Sequence, residues 1–176
     1  MQRRHVLAGV ASVGTLAGAG LSITGGLSRR SDVEPADPVT LNTIDAPGSR
    51  DGEVTIPATD RPTFVDFFAT WCDPCVEQMP ALAEANDRVD DSVLFISVTT
   101  EAVGESVAEE TIVEWWRKYN GDWLLGADPS IELSSSLGVS PRIPTAVAID
   151  DTGRVQWSES GVHTADELLD GIETIL

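Results

Sequence analysis

The chain has 176 residues, which is room for one domain of ordinary size plus an appendage and excludes a two-domain dehydrogenase or a barrel enzyme. With 41% hydrophobic and 23% charged residues, its composition is that of a globular protein rather than of a chain disordered throughout. The 29 acidic residues outnumber the 11 basic ones and give a net charge of −18, so the surface repels phosphate backbones and nucleic-acid binding is not expected.

The acidic residues are spread along the chain rather than gathered in one tail. Four of the 11 basic residues precede residue 31, where no acidic residue occurs, so the rest of the chain is more acidic still. Such a composition resembles that of halophile proteins, in which a dense carboxylate surface holds water and cations. The alternative is an acidic protein from an ordinary source.

Residues 1–30 have the pattern of an export signal or membrane anchor. Arg3 and Arg4 precede a charge-free run, residues 6–27, that is rich in small side chains. The paired arginines resemble a twin-arginine (Tat) signal, and residues 17–19 match the A-x-A pattern of a cleavage site. Uncut, the run is long enough to span a membrane. We therefore predict an exported protein, either secreted or held at the outer face of the cytoplasmic membrane.

After a polar linker at 31–38, segments typical of strands and helices alternate over residues 39–176, which we predict to be one domain. An N-terminal hairpin is expected from 39–44 and 53–56, further strands at 63–69, 93–98, 123–127, 145–149 and 155–158, and helices at 72–89, 111–119, 130–137 and after a capping box at 164–167. This order predicts an α/β sandwich with a mixed central sheet.

The only two cysteines, Cys72 and Cys75, lie three residues apart where a buried strand is predicted to lead into a helix. The positive end of the helix dipole favours a thiolate at Cys72, which would attack a substrate disulfide. Cys75 would then attack Cys72 and release the substrate. Pro74 suits the first helical turn, because proline has no N–H to lose there.

Two other interpretations of the cysteine pair are weaker. A four-ligand zinc site needs two more ligands, and the only histidines are His5 and His163. An inert structural disulfide would add little stability, because a loop this short confines the unfolded chain only slightly. We therefore predict a redox pair and no metal.

The run VDFFATWCDPC, which ends at Cys75, resembles the strand and active-site turn of the thioredoxin superfamily. Pro80 matches the proline that kinks the family's active-site helix, and the run RIPT around Pro144 matches its cis-proline segment. The insert between 98 and 130 resembles the exported TlpA/ResA-like thiol-disulfide oxidoreductases. Over residues 39–176 the resemblance implies a thioredoxin-like three-layer α/β/α sandwich. No cofactor is expected beyond the Cys72–Cys75 disulfide, and we expect a monomer.

Pro144 directly precedes a predicted buried strand, where a trans proline would disturb pairing. The resemblance implies a cis Ile143–Pro144 bond in a tight turn that faces the thiols. The backbone of Ile143 would then be free to pair with an extended substrate. Trp71 is expected beside the thiols and in contact with substrate. The alternative is an ordinary trans proline at the start of a strand.

Asp66 is a carboxylate inside the apolar strand 63–69. Burial raises the pKa of such a group, and an acceptor near neutrality could take the Cys75 proton through water. Thioredoxins carry aspartate here in that role, whereas many TlpA/ResA relatives carry asparagine; a base from the insert would be Glu101 or Glu105. The alternative is that Asp66 faces a polar gap and has no role.

Asp73 bears on the direction of the reaction. Its negative charge opposes thiolate formation at Cys72, which favours the disulfide and hence a reductant. We predict a thiol-disulfide oxidoreductase that reduces disulfides of exported proteins, such as apocytochrome c before haem attachment, with a membrane thiol carrier as electron donor. The alternatives are a disulfide-forming oxidant or isomerase, and a metal-binding chaperone module with His163 as third ligand. His163 is otherwise expected to be solvated.

Overall fold

The computed structural model describes residues 34–139 and 142–176. The predicted export signal at 1–30 and the first part of the linker lie outside these residues, so they stay predictions. Within the described part of the chain, no helix combines the length and the apolar character that crossing a membrane requires.

Seven strands form one mixed sheet in the order β2-β1-β5-β4-β3-β6-β7. The strands are β1 (Val39–Thr43), β2 (Gly52–Ile56), β3 (Thr63–Phe68), β4 (Leu94–Thr99), β5 (Leu124–Ala127), β6 (Thr145–Ile149) and β7 (Val155–Ser160). The helices are α1 (Asp73–Arg88), α2 (Glu109–Lys118), α3 (Glu132–Ser136) and α4 (Ala165–Glu173). The three central strands β3, β4 and β5 run parallel, and the outer pairings are antiparallel. The predicted hairpin is β1–β2.

The two faces of β3 show how the layers are built, because successive strand side chains point to opposite faces. Phe64 and Phe68 pack in a core that includes residues of α1, α2 and α4. Val65 and Phe67 pack on the other face, in a core that includes Leu133 of α3. Helices therefore cover both faces of the sheet, which confirms the three-layer α/β/α sandwich.

Helix α1 begins where the sequence predicts. Cys72 has extended backbone angles and is the N-cap, Pro74 lies in the first turn, and Pro80 lies inside the helix. Pro74 fits because the first turn leaves its backbone N–H groups unpaired in any case. The buried face of α1, which includes Met79 and Leu82, packs against the sheet. The cysteine pair is thereby fixed between the end of β3 and the first turn of α1.

Aromatic side chains fill the core beneath α2. Trp116 is fully buried, and its Nε1 donates to the carbonyl oxygen of Pro47 at 3.0 Å. Gly121 lies against the Trp116 ring, and a Cβ atom there would overlap it. Trp115 and Trp123 are also buried.

The predicted helix at 130–137 is reduced to the five residues of α3. Ile131 has a left-handed backbone conformation, so regular helix begins only after it. The carboxylate of Asp128 accepts the backbone N–H groups of Glu132 and Leu133, both at 3.0 Å, and so caps the helix from outside. The capping box predicted at the start of α4 is present at Thr164.

Candidate active site

The two cysteines form a disulfide at the amino end of α1, with their Cα atoms 5.2 Å apart. Cys72 is 5% exposed and Cys75 only 1%. The backbone N–H of Cys75 donates to Sγ of Cys72 at 3.2 Å. The same N–H would stabilise a Cys72 thiolate after reduction, because a hydrogen bond to the charged form favours it. The structure describes the oxidised form, in which Cys72 is the more exposed of the two cysteines.

Trp71, directly before Cys72, is 73% exposed. Its ring stands out into solvent rather than packing into the domain, and a large exposed aromatic side chain is well suited to contact a partner. Asp73 and Pro74 are also exposed, so the turn between the cysteines faces solvent. The predicted contact of Trp71 with substrate stays a prediction.

The Ile143–Pro144 peptide bond is cis, as the family resemblance implies. Strand β6 begins at the next residue, Thr145, which pairs with Phe67 near the end of β3. Continuing this antiparallel register places Ile143 and Pro144 beside the segment that runs from β3 into the cysteine turn. Oγ1 of Thr145 donates to the carbonyl oxygen of Arg142 at 2.7 Å and holds this turn.

The backbone of Ile143 makes no hydrogen bond with the rest of the described chain. Ile143 precedes β6, and the hydrogen bonds among the described residues leave its N–H and C=O groups without a partner. The carbonyl oxygen of Pro144, by contrast, accepts the N–H of Gly161 at 2.9 Å. An extended peptide can pair with an unpaired backbone segment of this kind.

Asp66 lies on β3 and is 2% exposed. Ser97 Oγ donates to Asp66 Oδ2 at 3.2 Å, and among the described residues Oδ1 has no hydrogen-bond partner. Burial raises the pKa of Asp66 from 3.8 to about 7, and the hydrogen bond from Ser97 opposes part of this rise. The direction is the one expected from the sequence, and it puts proton exchange in the neutral range.

Ser97 and Trp123 are contacts of this site that sequence reasoning missed. Ser97 lies opposite Asp66 in the parallel pairing of β3 with β4 and is fully buried. Trp123 Nε1 donates to Ser97 Oγ at 2.9 Å. A single polar side chain within the apolar run LFISV was the available signal, but nothing in the sequence connects Trp123 with it.

Of the two glutamates named as alternative bases, Glu105 is exposed and Glu101 is 8% exposed. The Glu101 carboxylate accepts the Thr70 backbone N–H at 2.7 Å, the Thr70 hydroxyl at 2.8 Å and the Thr99 hydroxyl at 3.1 Å. Glu101 therefore holds the residue two positions before Cys72. This contact bridges 31 positions of the sequence and was not predicted.

The expectation that His163 is solvated is wrong, because its side chain is only 11% exposed. Its ring packs against Trp157 with centroids 5.8 Å apart, and its backbone exchanges two hydrogen bonds with the Gln78 side chain. Its Nδ1 lies 4.0 Å from a carboxylate oxygen of Glu159. Among the described residues, no three histidine, cysteine, aspartate or glutamate side chains are grouped as metal ligands. The structure does not bring His163 and the cysteines together.

The chain resembles known proteins over most of its length. The model of one protein family, described as Redoxin, matches residues 40–176. The thiol-disulfide oxidoreductase ResA of Bacillus thuringiensis subsp. konkukian is 27% identical over 112 residues, which are 64% of this chain and 62% of ResA. The match thus spans less than two thirds of that relative's length.

Sporulation thiol-disulfide oxidoreductase A of Bacillus subtilis is 24% identical over 152 residues, covering 84% of this chain and 87% of the relative. The crystal structure of StoA from Bacillus subtilis superposes with a TM-score of 0.64 at 20% sequence identity, over 77% of this chain and 96% of StoA. At this level of identity the superposition shows a common fold.

Proposed function

The chain belongs to the Redoxin family, and we propose that it exchanges a dithiol for a disulfide with partner proteins through Cys72 and Cys75. Its TlpA/ResA-like place in the thioredoxin superfamily, expected from the sequence, is confirmed. The observation that carries the proposal is the cysteine pair at the amino end of α1, because the helix dipole and the Cys75 N–H both favour a Cys72 thiolate.

The reaction proceeds in two exchanges. The Cys72 thiolate attacks a partner disulfide, so that a Cys72–partner bond forms and the other partner sulfur leaves as a thiolate. Cys75 then loses its proton and attacks Cys72, which restores the bond between the two cysteines and releases the second partner thiolate. Two electrons pass from the protein to the partner, and the reverse sequence oxidises it.

Asp66 accepts the Cys75 proton in this proposal. It lies on the same face of β3 as Phe64 and Phe68, which pack in the core that contains both cysteines. Its pKa of about 7 lets it take up and release a proton near neutral pH. We place Ile143 and Pro144 as the clamp that holds an extended partner segment, with Trp71 as an exposed contact.

The proposed direction is reduction. Asp73 adds a negative charge in the first turn of α1 and so opposes a thiolate at Cys72, which favours the disulfide. Together with the export signal predicted at 1–30, this supports a reductant for exported proteins, apocytochrome c among them, that is recharged by a membrane thiol carrier. We also propose that the protein comes from a halophile and is a monomer.

The reduction potential of the pair, measured in molar salt against a dithiothreitol or glutathione couple, tests the direction. A value near about −270 mV supports a reductant, and one near about −120 mV makes the protein a disulfide-forming oxidant. The Cys75→Ser variant should accumulate a mixed disulfide with a model disulfide peptide, whereas the matched Cys72→Ser variant should not. No reversible couple and no mixed disulfide would overturn the function altogether.

A further inference from the structure

Three buried side chains on neighbouring segments form a short hydrogen-bonded network on the face of the sheet that packs in the core with both cysteines. Trp123, just before β5, donates from Nε1 to Ser97 Oγ at 2.9 Å. Ser97 on β4 donates to Asp66 Oδ2 on β3 at 3.2 Å. None of the three is more than 4% exposed, so water does not compete for these contacts.

The indole of Trp123 sets which group donates and which accepts in each of these hydrogen bonds. A tryptophan N–H can only donate, so Ser97 Oγ must act as its acceptor. The single proton of the serine hydroxyl then points to Asp66 Oδ2, which becomes a committed acceptor. Among the described residues the other oxygen, Oδ1, is buried without a partner. The two oxygens of the Asp66 carboxylate therefore differ, because only Oδ2 is held as a hydrogen-bond acceptor.

We propose that Ser97 and Trp123 are positioning residues that hold Asp66 Oδ2 as an acceptor and so direct the proton taken from Cys75 to Oδ1. The proposal rests on the exchange function proposed above. In the resolving step the Cys75 S–H bond breaks, the proton passes through water to Oδ1, and the thiolate attacks Cys72. The proton then returns to solvent, and the thiol carrier proposed above reduces the Cys72–Cys75 disulfide before the next cycle.

The surroundings offer few competing groups. Strands β4 and β6 place Ser97 and Ala146 beside Asp66, and neither side chain titrates. From α1, the buried titratable groups in the same core are Cys72 and Cys75 once they are reduced. Beyond the end of β4 lies the buried carboxylate of Glu101, which accepts its hydrogen bonds from Thr70 and Thr99.

A carbon-13 NMR titration of the Asp66 carboxyl group in the oxidised protein tests the positioning without any exchange reaction. Ser97→Ala should raise the midpoint by about one pH unit, the effect of losing one hydrogen bond to a carboxylate. Trp123→Phe keeps the aromatic packing but loses the donor, and should raise the midpoint by less. The matched controls are Ser134→Ala, a buried serine that donates to the carbonyl oxygen of Ile131, and Trp115→Phe, a buried indole whose ring packs on Phe68 and Tyr119; both should leave the midpoint unchanged.

The pH profile of mixed-disulfide resolution supplies the second readout. Its midpoint should rise in Ser97→Ala by the same amount as the NMR midpoint, and Asp66→Asn should abolish the Asp66-dependent part of the profile. If wild type exchanges disulfides but Ser97→Ala moves only one midpoint or neither, the positioning proposal fails alone. If wild type does not exchange disulfides, the proposed function fails, and the NMR titration still reports whether Ser97 and Trp123 orient Asp66.

Discussion

Two buried carboxylates, Glu101 at the cysteine turn and Asp66 on the strand that leads into it, have different hydrogen-bond surroundings. Glu101, at the side of the turn, accepts three hydrogen bonds that occupy both of its oxygens. Asp66, within β3, accepts one side-chain hydrogen bond, and among the described residues its Oδ1 has no partner. A buried carboxylate that accepts several hydrogen bonds stabilises the segments that donate them. A buried carboxylate with few donors has a raised pKa and takes up a proton more readily.

The difference follows from where each residue lies. Asp66 is in the middle of a strand that pairs on both sides, so the neighbouring backbone N–H groups are used in the sheet and only side chains can reach its carboxylate. Glu101 follows the end of β4, where the backbone N–H of Thr70 is free to donate. Asp128, the third buried carboxylate of the described residues, also lies after a strand end and accepts backbone N–H groups.

The largest effect is expected from Asp66→Asn, measured as a pH dependence of stability. Because the pKa of Asp66 is raised from 3.8 to about 7 on folding, the folded state binds more protons than the unfolded state between these values. The contribution of Asp66 to stability therefore falls as pH rises from 4 to 7 and is constant above 8. Relative to wild type, the variant should gain about 4 kcal/mol in free energy of unfolding between pH 4 and pH 8.

Denaturant unfolding of both proteins at fixed salt concentration, with the disulfide intact, measures this gain at each pH. A difference between the two proteins that is the same at pH 4 and pH 8 would show that burial does not perturb Asp66. That result would contradict the difference proposed between Asp66, with its raised pKa, and the fully hydrogen-bonded Glu101.

The next effect in size is expected from Glu101→Ala. The change strands three donors, among them the Thr70 N–H beside the cysteine turn, and should lower the free energy of unfolding by about 3 kcal/mol. Chemical denaturation measures the loss. The control is Glu105→Ala, an exposed position in the same insert, which should leave stability unchanged. Equal effects of the two changes would contradict a structural role for Glu101.

A smaller effect is expected from Thr70→Val, which keeps the shape and the backbone N–H but removes the hydroxyl donor to Glu101. One of the three hydrogen bonds is lost, at a cost of about 1 kcal/mol. Thr59→Val, at an exposed site, is the matched control and should leave the free energy of unfolding unchanged. A double-mutant cycle of Thr70→Val with Glu101→Ala should show that the two losses are not additive.

The sequence by itself determined the features that depend on residues close together in the chain. The apolar run of β3 predicted a buried strand, the C-x-x-C pair with Pro74 predicted a helix start, and Thr164 with Glu167 predicted a capping box, all of which are present. The burial of Asp66 followed in the same way, because apolar residues flank it on both sides. Hydrophobic periodicity and helix capping depend on residues that are close together in the sequence, so a short segment is enough to predict them.

Only the tertiary structure decided which distant side chains meet. Ser97 reaches Asp66 across 31 positions of the sequence, and Gln78 reaches His163 across 85, which is why His163 was wrongly expected to be solvated. Such contacts are set by strand order and by the packing of α1 beside α4, which no local pattern encodes. The cysteine pair was therefore visible in the sequence, whereas the side chains that contact Asp66 and Thr70 became visible only in the fold.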